Sequence, residues 1–418
     1  MNMRYAQTLL ALLTLQVLHA FAPPPALADW PQWRGPDRTD LSKEAGLLKT
    51  WPTEGPKRLW LFKEAGLGYS GPAIVKGKLF TLGVRDGSEQ LIAVDINDGK
   101  PLWSAKLGDM LNNSYGDGPR GTPTVDGDFV YALSGRGDLI CANAADGKVI
   151  WQKAMREFGG KTPGWGYTES VLVDGNKVVC TPGGSRGALL ALDKKTGGTL
   201  WQSKDFTDGA QYASIIPATV HGQRQYVQLT MKHVAGIGPE DGKLLWSTDF
   251  PGQTAVIPTP IVHDNQVYVT AGYGVGSKLV NIGPSNEVTE VYFNKVMKNH
   301  HGGAILLDGH VYGYSDGPGW VCQNFATGEQ VWAERSALGK GAIAYADGMF
   351  YCLAEGNGTV ALVEASPKGW KEHSRFKLEA QTAQRSPQGH IWTHPVITGG
   401  RLYLRDQELL SCYDVKAP

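Results

Sequence analysis

One stretch of this chain returns at regular intervals. "LIAVDINDGKPLW" (Leu91 to Trp103) is followed by "LICANAADGKVIW" (Leu139 to Trp151), "LLALDKKTGGTLW" (Leu189 to Trp201) and "PEDGKLLW" (Pro239 to Trp246); a shorter relative, "VCQNFATGEQVW", ends at Trp332. The closing tryptophans, Trp60, Trp103, Trp151, Trp201, Trp246, Trp332 and Trp370, recur about every 40–50 residues, the span of one small sheet in a repeat array. One interval is twice as long. In its middle, "KLVNIGPSNEVTEVYF" (Lys278 to Phe293) supplies a strand, turn residues and an aromatic in the Trp place. The last two markers are weaker, and "ALVEASPKGW" has lost the Asp-Gly turn.

A second element keeps the same phase. It is a short strand, a tight turn and a longer aromatic-rich strand, as in "PAIVKGKLFTLG" from Pro72, "PTVDGDFVYALSG" from Pro123 and "PVITGGRLYLRD" from Pro395, with eight copies along the chain. Each unit then holds four strands, here lettered A to D: "TPTV", "FVYALS", "DLICAN" and "VIWQKA" in the second. A four-stranded unit of this period predicts an all-β fold, an eight-bladed β-propeller of antiparallel blades. Blades packed face to face bury both sides of each sheet, so strands such as "FVYAL" are apolar throughout and do not alternate. Asp-Gly reverses the chain tightly because glycine accepts positive φ. The Trp falls on the outermost strand, where it fills the widening gap between diverging blades. The motif is a girdle, structure rather than chemistry. The C-terminus offers only three strands ("HPVITGG", "RLYLRD", "ELLSCYDV") and the N-terminus an orphan D strand ("KRLWLFKEAG"), so the last blade is expected to close with both chain ends and leave no open edge.

The ends of the chain carry their own signals. Residues 1–28 read as an export signal: a charge in "MNMRY", the apolar "TLLALLTLQVL", and "ALA" before Asp29. No apolar run approaches the ~18 residues needed to span a bilayer. The expected organisation is a signal peptide (1–28), an N-terminal extension (29–56) draped over the outside or across one end, and the propeller (57–418), a monomer in the periplasm or secreted. Lys+Arg and Asp+Glu are equal at 40 each, which argues against nucleic acid as partner. Cys141, Cys180, Cys322, Cys352 and Cys412 lie inside apolar strand-like runs; they read as buried small hydrophobes, with one chance disulfide as the alternative.

The pattern Ala-x-Asp-x-x-(Thr/Asp)-Gly-Lys-x-x-Trp, from roughly Trp60 to Val415, resembles the tryptophan-docking repeat of pyrroloquinoline quinone (PQQ)-type eight-bladed propellers. The opening "DWPQWRGPDRTD" is similar to the start of exported PQQ-like repeat proteins. The resemblance implies one of two trades: a BamB-like scaffold that binds proteins in the cell envelope and holds no cofactor, or a quinoprotein alcohol or sugar dehydrogenase using PQQ and calcium. The chain has no adjacent cysteine pair and no C-x-x-C-H haem motif, features usual in the dehydrogenases, and no lipid-anchor cysteine of the BamB kind. The preferred expectation is a non-catalytic scaffold with a protein or peptide partner, and no catalytic residue, metal or cofactor is assigned.

The D–A connections are longer than the other turns and richer in unusual residues, so their face is the expected working face. Arg120, just before an inner strand, sits where the dehydrogenases often place an arginine against the quinone; it reads as an anion contact or a solvated loop residue. Trp165, Tyr167 and Glu169 in "GWGYTES" read as a mouth-lining patch or as loop packing. Tyr212, His300, His301 and Trp392 lie on the same predicted face. His300, His301, His390 and His394 would bind a transition metal only if their loops converged, and no ligand spacing ties them together.

Overall fold

The computed structural model describes residues 29–418; the export-signal reading falls on residues 1–28, outside them. Eight four-stranded sheets form the ring, one of them extended by a fifth, two-residue strand. Blade 1 is built from Ala73–Val75, Lys78–Arg85, Ser88–Asp95 and Pro101–Asp109. Blades 2 to 7 begin at Thr124, Leu172, Ile216, Ile261, Ala304 and Gly341. Blade 8 takes Val396–Thr398, Arg401–Asp406 and Leu409–Asp414 from the C-terminus and its outermost strand, Arg58–Phe62, from the N-terminus, with Trp60 opposite Cys412. The ring therefore closes as the repeat count requires. All five cysteines are buried free thiols.

The repeated tryptophan has a mechanical basis. In every blade the C–D pairing slips by one residue just before the Trp place, as between Val149 and Trp151 or Pro101 and Trp103. A bulge re-aims the side chain that follows it. The skipped residue turns outward, so Leu59, Leu102, Ile150, Leu200, Val291 and Val331 are 37–45% exposed, while the Trp swings onto the next blade. There it lies on the turn glycine: a Cβ on Gly147 would stand 2.5 Å from Trp103, and one on Gly242 2.5 Å from Trp201. The indole N–H then donates to a turn carbonyl, Trp60 to Ile96 at 2.8 Å and Trp151 to Lys194 at 3.0 Å. Each Asp-Gly turn is thus both a reversal and the seat for its neighbour's ring. In blade 5, Tyr292 takes the Trp place and donates to the Phe325 carbonyl. Two rings depart from the rule: Trp246 donates to Gln225 of its own blade, and the buried Trp103 N–H has no hydrogen-bond partner.

Trp370 is not a docking tryptophan. It precedes the outermost strand of blade 7 (Glu372–Lys377) and packs on Trp320 of blade 6; Ser374 occupies the docking position, opposite Leu362. The vacant seat is filled by Trp51 from the N-terminal extension. Its backbone N–H donates to Ser374 Oγ and its ring meets Tyr351 and Phe376 at 5.7 and 5.3 Å. Loss of the Asp-Gly turn in "ALVEASPKGW" is the sequence trace of this substitution.

Only the second half of the extension crosses one end of the ring, where Leu47 N–H donates to Asp347 and Leu48 N–H to the Val415 carbonyl before Trp51 reaches its seat. Residues 30–42 fill the central channel. Innermost strands leave one edge of N–H and C=O groups facing that channel, and buried backbone groups need partners. The plug supplies them blade by blade. Trp30 exchanges two backbone hydrogen bonds with Ile74, and the Pro31 carbonyl accepts from Val125 N–H. The Arg38 guanidinium donates to the carbonyls of Ser170, Val171 and Ile215 in blades 3 and 4. Trp33 reaches Thr259 of blade 5 and Arg34 the Ala304 carbonyl of blade 6. Leu41–Ser42 adds a parallel strand inside blade 7, and Asp40 binds His394 of blade 8. Gly35 makes the coil possible: at φ +84 its absent Cβ would lie 2.9 Å from the Trp30 ring.

Two comparisons test this packing by denaturant melts. Gly127 and Gly147 both have positive φ, but only Gly147 seats a tryptophan. Gly127→Ala should cost about 1 kcal/mol, and Gly147→Ala about 1–3 kcal/mol more from overpacking; equal losses would deny the seat. Trp51→Ala should cost about 3–5 kcal/mol, and half-buried Trp370→Ala clearly less.

Candidate functional site

The D–A face opens at the axis into a funnel of about 390 Å³, within the ordinary range for small-ligand sites. Its floor is the tip of the plug. Trp33 lies there with its ring 4.6 Å from His394 and its indole N–H on Thr259, beside Arg34, whose guanidinium is held by Asp40 at 2.6 Å. Burial alone would push the Asp40 carboxyl up, but Arg34 and His394 hold it below its usual value. The floor is therefore fixed by charge as well as by hydrogen bonds.

The wall is aromatic. Tyr69 packs on Trp392 at 4.9 Å, Trp392 on Tyr115 at 6.5 Å, Tyr115 on Trp165 at 5.9 Å and Trp165 on Tyr212 at 5.8 Å. Arg120 stands within this belt. Its Nε donates to the Trp165 carbonyl at 2.6 Å and one terminal nitrogen to the Gly116 carbonyl at 2.8 Å, with the guanidinium 5.0 Å from the Tyr69 ring centre. Burial pulls its pKa down, and the nearest acidic groups oppose that only through space. No carboxylate forms an ion pair with it among the described residues.

The opposite wall carries the histidines. The His300 ring meets His301 at 3.7 Å, and His301 stacks on Trp392 at 4.7 Å. Lys340 donates to His300 Nδ1 at 2.8 Å and to Asp316 at 2.7 Å, and His300 Nε2 faces the Tyr273 hydroxyl at 2.7 Å. Burial, with Lys340 nearby, drops the His300 pKa to about 4, so the ring is neutral at pH 7. His301 is pushed down by burial and by His300, and His390 by burial and Arg385. Glu355, 3.9 Å from His301, is pushed up to about 7 by burial, against the pull of Lys340.

The sequence-derived candidates divide cleanly. Arg120, Trp165, Tyr212, His300, His301 and Trp392 line the funnel, as do His390 and His394. Tyr167 and Glu169 do not. Tyr167 is packed between blades 2 and 3 with its hydroxyl on the Pro182 carbonyl. Glu169 lies beneath the funnel, accepting from Thr181 N and Oγ1. After Trp165 the chain dives towards the inner strand, so the rest of "GWGYTES" becomes packing. The histidine loops do converge, but no group of three or more metal-ligating side chains forms among the described residues. Sequence reasoning missed Trp33, Tyr69, Tyr273, Lys340 and Glu355. Trp33 sat in a segment expected over the outside or across one end rather than in the channel, and Glu355 lies on a short B–C connection of the same face.

The comparisons with known proteins agree with this architecture. The family described as "Outer membrane protein assembly factor BamB" matches residues 87–334, more than half of the chain. The chain belongs to this BamB-like PQQ-repeat family. No curated protein matches. Among solved structures, BamB from Moraxella catarrhalis is 17% identical, with a TM-score of 0.59 over 83% of this chain and 94% of that one. Sqt1 from Saccharomyces cerevisiae is 9% identical, TM-score 0.58, over 86% of this chain and 99% of its own. Quinohemoprotein alcohol dehydrogenase from Comamonas testosteroni is 14% identical, TM-score 0.48, over 93% and 81%. At these identities the likeness is one of fold.

The buried acids make stability pH-dependent. Burial pushes Glu169 up to about 7 from 4.5, so its folded form prefers the proton. The associated stability is fully present below about pH 4.5 and is lost as pH rises through about 7. Glu89 is raised to the same value by burial. Urea melts should show wild type weaker at pH 8 than at pH 4.5, and Glu169→Gln recovering on the order of 2 kcal/mol of that loss; a pH-independent difference between the two proteins would contradict it.

Proposed function

We propose that this protein is a non-catalytic binding propeller of the cell envelope, docking a protein or peptide partner on its D–A face. The observation that carries this reading is the funnel: a concave, preformed, aromatic-walled surface at the centre of the loop-bearing face, rimmed by Tyr115 and Tyr273 at 39% and 38% exposure. Partners anchor on such surfaces because large rings desolvate well and lose little conformational entropy. The BamB-like family membership supports a partner and location in the envelope, and no helix among the described residues is long and apolar enough to cross a membrane.

The quinone reading has one observation in its favour, the Arg120 guanidinium in the axial funnel. The calcium that would accompany PQQ does not fit the donors present. Calcium takes six to eight oxygen ligands, several of them carboxylates. The funnel lining offers one carboxylate, Glu355, whose pKa is raised to about 7 and which stands beside Lys340.

Capture from an envelope extract tests the scaffold reading. Proteins retained by wild type should be lost with the double variant Tyr115→Ala, Tyr273→Ala and kept with Ile150→Gln on the outer rim. Retention by the rim double variant would place docking elsewhere. Retention of stoichiometric PQQ with calcium after desalting, with dye reduction by alcohols, would overturn the non-catalytic reading.

A further inference from the structure

We propose that the funnel is itself a binding site for an acidic saccharide, with a ring carboxylate on Arg120 and sugar faces against the Trp392–Tyr115–Trp165 belt. This goes beyond the scaffold reading, since the site is complete within one chain and needs no protein on the rim.

Three observations point to this ligand class. The first is charge. Arg120 spends two donors on fixed carbonyls, Trp165 and Gly116, which orient the fork without neutralising it. A half-buried guanidinium without a carboxylate ion pair is a site for an anion, because a charge-assisted pair there is stronger than one in water. The other cations near the funnel are already committed, Arg34 to Asp40 and Lys340 to Asp316.

The second is the shape of the aromatic wall. Neighbouring rings meet at 43°, 34°, 79° and 62° and touch one another, so no parallel pair of planes is left to clasp a flat heterocycle. Faces tilted in succession form a curved wall. That shape suits puckered rings, whose C–H faces lie on aromatic surfaces while their hydroxyls point sideways.

The third is the polar lining between the rings. Thr168, Ser214, Thr254 and Gln388 border the same cavity. Hydroxyls and an amide both donate and accept, matching a ligand that carries many hydroxyl groups. Thr168 Oγ1 already donates to the Tyr212 carbonyl and Ser214 Oγ accepts from Ser170 N–H, which leaves the lone pairs of the first hydroxyl and the proton of the second, with Thr254 and Gln388, for a ligand's hydroxyl groups.

Glu355 gives the site a pH signature. It faces His301, Lys340, Asp316 and Tyr314, and burial raises it to about 7. As pH falls through 7 it takes a proton, removing a negative charge from the wall. Affinity for an anion should therefore rise between pH 8 and pH 6, where His300, near 4, remains neutral.

Isothermal titration of the full chain with a galacturonic acid disaccharide, its neutral galactose counterpart and PQQ tests the proposal. The acidic disaccharide should bind at least about ten-fold more tightly than the neutral one, the worth of one charge-assisted hydrogen bond. Arg120→Gln should bring the two together, Arg120→Lys should keep part of the preference, and Trp165→Ala should weaken both sugars. Glu355→Gln should reduce the tightening between pH 8 and 6, and Glu355→Gln with Glu89→Gln should abolish it, because Glu89 is also raised to about 7 and acts on Arg120 through space. Thermal melts confirm that each variant is folded, and Arg120→Lys, which keeps the charge, separates lost recognition from a loosened loop. Equal or absent binding of the two sugars, or binding of PQQ alone, would overturn the saccharide site. That outcome would leave the scaffold reading standing, because the latter is read from capture by the rim.

Discussion

A ring of eight sheets has an unsolved problem at its centre. Each innermost strand turns a row of backbone donors and acceptors towards the axis, away from any sister strand. Here the chain solves it with its own N-terminal coil. Residues 30–42 reach all eight blades, using backbone bonds to blades 1, 2 and 7, side chains to blades 5, 6 and 8 and the three-carbonyl grip of Arg38 on blades 3 and 4. Arg38 is 1% exposed and burial lowers its pKa to about 10, so the charge survives at neutral pH. A buried cation of this kind is tolerable only when its donors are satisfied, and carbonyl edges satisfy it.

The plug also determines what the face above it can be. An open channel would pass water through the wheel. With Trp33 and Arg34 as floor, the D–A face ends in a closed funnel instead. The Asp40 carboxylate joins the two functions, because it holds Arg34 in the floor and His394 in blade 8, while His394 Nε2 meets the His301 carbonyl in the histidine wall. Channel and site are one hydrogen-bonded unit, and the motif "DWPQWRGPDRTD" belongs to both.

Much of the wheel was legible in the sequence because repetition exposes local rules. Asp-Gly turns, the Trp after them and the strand pairs from Pro72 to Pro395 each recur in phase, so blade number and ring closure followed from counting. What the repeat concealed was cooperation between units: Gly147 and Gly242 read as turn formers, and only the packed blades show that they seat Trp103 and Trp201. Trp370 misled for the opposite reason, since it lies before the blade 7 bulge and Ser374 holds the position after it, while Trp51, far away in sequence, took the seat. The funnel was half legible. Loop length identified its face and most of its rings, but Tyr167 and Glu169 share a loop with Trp165 and are turned into packing. Trp33 had no local signal at all, because a coil lacking periodicity gives no hint that it lies on the axis.

Hydrogen–deuterium exchange resolved to single amides tests the plug most directly. The amides of Ile74, Val125 and Tyr345, which donate to Trp30, Pro31 and Asp40, should exchange as slowly as the central strands of their blades, and residues 30–42 should lose protection together with them in one step as denaturant rises. Rapid exchange at these three amides while the central strands stay protected would show a wheel that stands without its plug, and would contradict the account.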